Sequence, residues 1–248
     1  MKNRVEYAVK TDIGLVREKN EDSYLCYFRD DSWPSIFAVA DGMGGHSHGE
    51  VASKIAVDYS QDRLSKDLAV REQEDRIESL LADTIQKANV QVYLHSLENE
   101  HGNGMGTTLT LCVFYPETLY LGHIGDSRCY ISRKGILEKL SRDHTLVQEM
   151  QDAGTLSAAE AAVHPQRHIL TQALGVPEYL NPEILKLDYK KGDRYLICSD
   201  GLHGYVSDSA IEEVMRKERT PDGCAQSLLD LALAEGGQDN ITIIVVFV

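Results

Sequence analysis

Short apolar or alternating segments, bounded by polar, glycine or proline positions, occupy much of the first forty residues. They predict β-strands over 5–11, 23–28 and 35–40, because short runs of this kind between turn signals are typical of buried or half-buried strands. Two later segments, Val51–Tyr59 and Ile77–Val92, instead repeat apolar residues every three or four positions. That is the spacing of one helix face, so two helices are expected to pack on a sheet.

Strand patterns return in the middle of the chain, over 107–114, 118–124, 128–132 and 136–140. Pro116-Glu117 and Lys134-Gly135 separate them as turns, and such short connections imply antiparallel pairing. Further strands are predicted near 183–187, 193–198 and 241–248, with helices near 208–216 and 222–235. Runs of strands with paired helices favour an α+β fold in which helices cover an antiparallel sheet core.

The stretch 143–180 differs from its surroundings. A short helical pattern over 145–152 is followed by a mixture of Gly, Ala, His and Pro with little periodicity. Long irregular segments inside a compact domain are usually functional or mobile. No linker composition or internal repeat divides the 248 residues, so the chain is expected to be a single domain, residues 1–248.

Composition narrows the possible functions. The formal charge of −14 argues against nucleic acid, because binding to a phosphate backbone needs a basic surface. The N-terminus has no apolar leader, and no apolar run approaches the ~20 residues of a membrane span. The five cysteines contain no Cys-x-x-Cys pair, which is typical of reduced thiols. A cytoplasmic protein without a membrane partner is therefore expected, and it has no Cys-x5-Arg loop for thiolate phosphatase chemistry.

Three aspartates, Asp41, Asp200 and Asp239, lie at the ends of predicted strands and next to glycine or asparagine. A lone carboxylate beside a hydrophobic run is costly to bury. Oxygen ligands are those that hard cations prefer, and the carbonyl of Gly42 could supply one more. The pattern predicts a metal site in which Asp41 bridges two cations.

Two further groups could complete such a site. Arg17 lies just before Glu21 and Asp22, and an arginine can fork two bonds to a phosphate while carboxylates hold a metal and its water. Asp126 follows Gly125 after a predicted strand. Each group could also be a solvated turn. A zinc pair at His46 and His48 is the weaker alternative, because no third nitrogen or sulfur ligand stands at a recognisable spacing.

Taken in order, these motifs resemble the bacterial PPM, or PP2C-like, metal-dependent protein serine/threonine phosphatases over essentially the whole chain. The motifs that carry the resemblance are Thr11-Asp12-Ile13-Gly14, Arg17, Asn20-Glu21-Asp22, Asp41-Gly42-Met43-Gly44-Gly45-His46, Gly106-Thr107-Thr108, Gly125-Asp126-Ser127-Arg128, Asp143-His144-Thr145, Leu170-Thr171-Gln172-Ala173-Leu174-Gly175, Ser199-Asp200-Gly201-Leu202 and Asp239-Asn240-Ile241-Thr242. The resemblance implies a β-sandwich of two antiparallel sheets flanked by helix pairs, in four α-β-β-α layers, with a flap over about 145–180.

The resemblance also implies a function and roles for particular residues. Phosphoserine and phosphothreonine in proteins, the products of a serine/threonine kinase, would be hydrolysed by a water activated by Mn²⁺ or Mg²⁺, two per site. Asp41, Asp200 and Asp239 would bind the first ion. Asp41, the Gly42 carbonyl and, through water, Glu21 would bind the second, and Asp126 with Asp200 a third, weaker one. Arg17 would clamp phosphate and Asp22 would orient the water. The protein is expected to be a monomer.

Several points stay open at this stage. Met43 stands where eukaryotic-type members carry a histidine, so the general acid could be His46, His144 or a metal-bound water. A small-molecule or phosphohistidine phosphatase is an alternative activity. A pseudophosphatase that only binds is the remaining class, although no metal aspartate is missing.

Overall fold

The strand patterns of the sequence form two antiparallel sheets. The structure is a computed structural model and describes residues 5–29, 32–44, 48–68, 76–98 and 104–248. The strands of these residues are, in chain order, β1 (Glu6–Asp12), β2 (Asp22–Arg29), β3 (Ser32–Met43), β4 (Gly106–Thr107), β5 (Leu109–Tyr115), β6 (Thr118–Ile124), β7 (Arg128–Arg133), β8 (Ile136–Lys139), β9 (Glu183–Asp188), β10 (Arg194–Cys198) and β11 (Ile241–Phe247).

One sheet has the strand order β1-β11-β10-β7-β8, and the other the order β2-β3-β5-β6-β9 with β4 paired to β3. The first joins the two ends of the chain, because β1 runs antiparallel to β11 with Glu6 opposite Phe247. β2 and β3 form a hairpin in which Asp22 lies opposite Asp41. The topology therefore brings motifs that are distant in sequence to the same end of the sandwich.

Helices cover the outer faces of both sheets. Those of the described residues are α1 (Gly49–Asp67), α2 (Ile77–Glu98), α3 (Leu146–Asp152), α4 (Ala158–Ala162), α5 (Asp200–His203), α6 (Asp208–Lys217) and α7 (Pro221–Ala234). Hydroxyl side chains cap α3, α4, α6 and α7. Each of Thr145, Ser157, Ser207 and Thr220 accepts a hydrogen bond from a backbone N–H in the first turn of its helix. Such caps satisfy donors that the helix itself leaves open.

Three hydrophobic clusters define the layers. One joins α1 and α2 to the sheet of β3 and β5, and a second joins α5, α6 and α7 to the sheet of β10 and β11. The third lies between the sheets, where the ring of Phe114 meets those of Phe37 and Tyr195 edge-on, with centroids 5.6 and 5.2 Å away. The layers are α-β-β-α, so the predicted fold class is confirmed.

Some element boundaries differ from those predicted. β3 runs through Asp41 to Met43, and Asp200 is the first residue of α5 and not part of a loop. α4 and α5 were not predicted, because helices of five and four residues are too short to show a periodic pattern. No helix in the described ranges has the length and apolar character needed to cross a membrane.

Candidate active site

A cavity of about 490 Å³ opens where both sheets end near α5. Its lining residues come from seven separate parts of the chain, and they are Arg17, Glu21, Asp41, Gly42, Met43, Gly44, Thr108, Asp126, His168, Leu170, Asp200, Tyr205, Asp239 and Asn240. Every residue predicted for the site lines this cavity except Asp22. The fold thus collects in one place the carboxylates that the sequence scatters over about two hundred positions.

Backbone hydrogen bonds fix Asp41. Its N–H donates to Thr108 Oγ1 and its carbonyl accepts from the Thr108 N–H, both at 2.9 Å. Burial and the surrounding carboxylates, Asp22 first among them, hold the pKa of Asp41 well above its usual range. The backbone of Asp41 is therefore held in place, and its carboxyl group lies where neighbouring carboxylates oppose its ionisation unless a cation is bound.

Asp22 lies behind Asp41 in the β2–β3 hairpin and is half-buried. Its Oδ2 accepts a hydrogen bond of 2.7 Å from the Ser199 hydroxyl, which in turn accepts 2.9 Å from the Thr242 N–H. Its Oδ1 is buried and has no hydrogen-bond partner among the described residues. Burial raises the pKa of Asp22 to about 7. An unsatisfied buried carboxylate oxygen is costly, which indicates a missing ligand or water.

Asp126, in the turn between β6 and β7, and Asp200, at the start of α5, both face the cavity. Burial, followed by the charge of Asp200, holds the pKa of Asp126 well above its ordinary value. Burial would also raise the pKa of Asp200, but the imidazoles of His168, whose Nδ1 lies 3.7 Å from Asp200 Oδ2, and of His203 outweigh that effect, so the pKa lies below its ordinary value. The charge state of each carboxylate therefore depends on its neighbours.

The loop that carries Arg17 and Glu21 is held by Asn240. The Asn240 side chain accepts from the Glu21 N–H at 2.8 Å and donates to the carbonyls of Ile13 and Lys19 at 2.9 and 2.8 Å. No separate role for Asn240 is predicted from the sequence. It nevertheless lies directly before β11 and positions the loop at the cavity.

Arg17 contacts Asp239 directly, with Nη2 donating to Oδ2 at 2.6 Å. This bond raises the pKa of Arg17 above its usual value, so the guanidinium is a permanent positive charge. The other oxygen of Asp239 accepts from the Asn240 N–H at 2.8 Å. Arg17 is half exposed, which leaves its remaining donors accessible from the cavity.

Gly42 is in a position where no side chain fits. A Cβ atom there would lie 2.1 Å from the carbonyl oxygen of Gly49, the first residue of α1. The Gly42 N–H donates to the Glu21 carbonyl at 3.1 Å. Glycine therefore lets β3, the Glu21 loop and the start of α1 meet beside Asp41.

The donor set fits a hard divalent cation, although no three His, Cys, Asp or Glu side chains of the described residues form a ready-made ligand cluster. Arg17 binds one oxygen of Asp239. Side-chain rotations would therefore have to accompany metal binding. Burial and the neighbouring carboxylates raise the pKa values of Asp41 and Asp126, and a cation would stabilise these carboxylates together with the unpartnered Asp22 Oδ1.

Comparison with known proteins places this geometry in a family. A family model described as Protein phosphatase 2C matches residues 16–232. The chain is 37% identical over 237 residues to the serine/threonine phosphatase stp of Listeria monocytogenes serotype 4b, covering 96% of this chain and 93% of that protein. The chain belongs to the protein phosphatase 2C family.

Solved structures agree with this assignment. The serine/threonine phosphatase PstP/Ppp of Mycobacterium tuberculosis is 37% identical, with a TM-score of 0.88 and 98% of each chain covered. The catalytic domain of PstP in complex with two manganese ions is 35% identical, with a TM-score of 0.85 and coverage of 98% and 97%. The resemblance inferred from the sequence motifs is confirmed, and so are the expected fold and enzyme class.

Thiol chemistry has no place in the site of this protein phosphatase 2C chain. Cys112, Cys129, Cys198 and Cys224 are buried. Burial raises the pKa of Cys224 and of the half-buried Cys26 to about 12 in each case, so neither is a thiolate at neutral pH. No cysteine is among the residues that line the cavity, which agrees with the absence of a Cys-x5-Arg loop.

The histidines considered as the general acid differ in where they lie relative to the cavity. His46 lies outside the described residues, so that hypothesis stays a prediction; the zinc pair also includes it. His144 is buried, and its Nδ1 accepts a hydrogen bond of 3.1 Å from the Gly125 N–H. It does not line the cavity, so it cannot reach a leaving group there. His168 does line the cavity and is the histidine that the sequence analysis left out of this choice.

Proposed function

We propose that this chain hydrolyses phosphoserine and phosphothreonine in proteins, with Mn²⁺ or Mg²⁺ bound in the cavity described above. One observation carries the proposal: five carboxylates and a single arginine converge on one cavity of about 490 Å³. Phosphate esters are anionic and slow to hydrolyse, so a site with this excess of negative charge needs cations before it can bind them. Membership of the family supports the reaction class.

The metal ligands are proposed as follows. Asp41, Asp200 and Asp239 would hold the first ion, and Asp41, the Gly42 carbonyl and, through water, Glu21 the second. Asp126 with Asp200 would hold a third and weaker one. When bound, divalent ions neutralise the carboxylates, polarise phosphoryl oxygens and lower the pKa of water. The protein supplies rigid placement through the Thr108 and Asn240 hydrogen bonds.

Arg17 is proposed to bind the phosphoryl group. A guanidinium has five N–H donors, so Arg17 can keep its bond to Asp239 and bind phosphate oxygens with the others. The bond to Asp239 fixes the direction in which the remaining donors point. Lysine could not reproduce this planar fork, which makes Arg17→Lys an informative substitution.

Asp22 is proposed to orient the attacking water through Oδ1. Ser199 occupies Oδ2, so one oxygen holds the side chain in place and the other keeps its acceptor capacity. Asp22 lies opposite Asp41 in the hairpin and does not itself line the cavity, so its proposed partner is a water held beside Asp41 and not the substrate.

Release of phosphate from a phosphothreonine peptide tests the proposal. Activity should require Mn²⁺ or Mg²⁺ and should be lost by at least about 100-fold in Asp239→Asn, which keeps the shape of the side chain but removes its charge. Asp188→Asn is the matched control, because Asp188 is exposed at the end of β9 and away from the cavity. Undiminished activity in EDTA would contradict the proposal.

The substrate panel should also include phosphohistidine and small phosphate esters. Faster turnover of these than of the phosphothreonine peptide would favour a different substrate class. Metal binding without hydrolysis of any of them would indicate the pseudophosphatase. The Asp239→Asn variant is the control for both measurements, because it shows whether the activity or the metal binding depends on this site.

We also propose that residues 1–248 form one domain and that 145–180 serves as a flap that contributes to substrate choice. α3 and α4 lie in this segment, in which Thr145 bridges to Leu170, and a bridge from Leu174 to Thr107 joins the segment to the body. A second cavity of about 490 Å³ lies between the flap helices and α5–α6 and shares Asp126, His168 and Asp200 with the first. Arg167→Ala, in its lining, should change KM ratios among phosphopeptides.

We propose that the protein is a cytoplasmic monomer and that it acts on the targets of a serine/threonine kinase. Cys112 and Cys129 are free thiols whose Sγ atoms share a hydrogen bond of 3.7 Å and no disulfide, which suits a reducing compartment. Light scattering coupled to size exclusion tests the monomer. A mass of about twice the 27.6 kDa chain would contradict it.

A further inference from the structure

The turn between β6 and β7 carries Asp126 and has a constrained backbone. Gly125 has φ of +102°, and a Cβ atom there would lie 2.5 Å from Thr108 Cγ2. Neither the backbone conformation nor the space suits another residue. The conformation of this peptide decides where the Asp126 carboxylate lies.

Two histidines form hydrogen bonds with the backbone N–H and carbonyl of Gly125. His144 Nδ1 accepts from the Gly125 N–H at 3.1 Å, and His123 Nε2 donates to the Gly125 carbonyl at 3.1 Å. The two rings stack with centroids 5.2 Å apart. The partners specify the tautomers, since a backbone N–H can only donate and a carbonyl can only accept: the Nδ1 of His144 carries no proton, and the Nε2 of His123 does.

A third histidine binds the next peptide. His203 Nε2 donates to the Asp126 carbonyl at 3.0 Å. His203 and Asp200 belong to α5 and are three positions apart, so they share one face of the helix. The same helical turn therefore carries one carboxylate of the site and a hydrogen-bond donor to the backbone of the other.

We propose that His144 and His203 are positioning residues, which fix the Asp126 carboxylate relative to Asp200 and so set the affinity of the third, weaker metal position. The inference rests on the proposed function. Groups that hold metal ligands without touching the metal typically change its affinity by about 10- to 100-fold. A purely structural histidine would alter stability and leave metal affinity unchanged.

Manganese binding measured by the electron paramagnetic resonance of free Mn²⁺ tests this, since it does not depend on turnover. The wild-type chain should bind two ions tightly and one weakly. His203→Leu should weaken only the weakest ion, by about 10- to 100-fold, as Asp126→Asn also should. His203→Gln should restore much of the affinity, because its amide can donate from nearly the same place.

Controls separate positioning from folding. His95→Leu, on α2 and outside the cavity lining, should leave all Mn²⁺ affinities unchanged. His144→Leu is the second variant if His203→Leu unfolds, and thermal unfolding shows which variants are folded. A folded His203→Leu or His144→Leu chain that binds the weak ion as wild type does would overturn the inference.

The wild-type titration distinguishes this inference from the proposed function. If the wild-type chain binds only two Mn²⁺ ions and hydrolyses phosphopeptide, the positioning role is overturned and the function stands. If it binds no Mn²⁺ and hydrolyses nothing, both are overturned.

Discussion

Replacing Asn240 with alanine should both destabilise the protein and inactivate it. The side chain is 5% exposed and makes three hydrogen bonds, one to the Glu21 N–H and two to the carbonyls of Ile13 and Lys19. At about 1 kcal/mol for each bond, the loss is about 3 kcal/mol. For a chain of this size that corresponds to a fall in Tm of roughly 6–12 °C.

Activity should fall as well, because these three bonds hold the loop that places Arg17 and Glu21 at the cavity. A displacement of about 1 Å in a substrate-positioning group costs on the order of 100-fold in rate. Urea unfolding gives the change in stability. Phosphopeptide hydrolysis at a temperature where the variant remains folded gives the change in kcat/KM.

Asn89 offers a matched control. It is 3% exposed, lies on α2, and its amide binds the backbone of Gly175, Val176 and Glu178 through four hydrogen bonds. Asn89→Ala should cost about as much stability as Asn240→Ala. Its partners lie at the end of the flap and not at Arg17 or Glu21, so this variant should keep kcat per folded molecule at saturating phosphopeptide, whatever its KM. Equal losses of kcat in both variants, or a change below about 0.5 kcal/mol in Asn240→Ala, would contradict the role given to Asn240.

Three further changes have clear expectations. Burial lowers the pKa of His123 from 6.5 to about 3, so between these pH values the unfolded chain binds a proton that the folded chain does not. The contribution of His123 to the free energy of unfolding therefore falls as the pH drops below about 6.5. Asp22, with its pKa raised to about 7, has the opposite effect on stability over this pH range. The free energy of urea unfolding in EDTA should therefore be measured against pH for wild type and His123→Gln, and the slope should be smaller in the variant. Arg128→Ala should cost about 3–5 kcal/mol in urea unfolding, because it leaves the buried carboxylate of Asp143 without its bidentate partner. Gly42→Ala should abolish Mn²⁺ binding, since its Cβ would lie 2.1 Å from a backbone oxygen.

Each of these has an internal check. Arg142→Ala removes an exposed arginine that pairs with Asp152, and it should change stability by no more than about 0.5 kcal/mol. A comparable effect in Arg128→Ala would show that burial of the pair does not matter. Identical pH slopes for wild type and His123→Gln would contradict the assignment of that acid sensitivity. Normal Mn²⁺ binding by Gly42→Ala would show that the clash relaxes.

Much of the fold follows from local pattern. Strand and helix periods report which faces are apolar, so both long helices and most strands could be predicted to within a few residues. α5 could not, because four residues contain barely one turn and its formation depends on packing beneath β11. The boundary of β3 beyond Asp41 depends on pairing with Thr107 and Gly106, which no local pattern encodes.

The side chains that can bind a cation and phosphate are evident from the sequence, because carboxylates and arginine have that chemistry in any context. Their order is evident too, and it identifies the family. Which of them meet depends on the folded structure. In the folded chain Asp22 lies behind Asp41 and accepts a hydrogen bond from Ser199 through one carboxylate oxygen. Asn240 holds the loop of Arg17 through three hydrogen bonds. The fold also turns His144 away from the cavity to bind Gly125. These roles depend on hydrogen bonds between residues up to about two hundred positions apart, and such contacts form only when the two sheets pack.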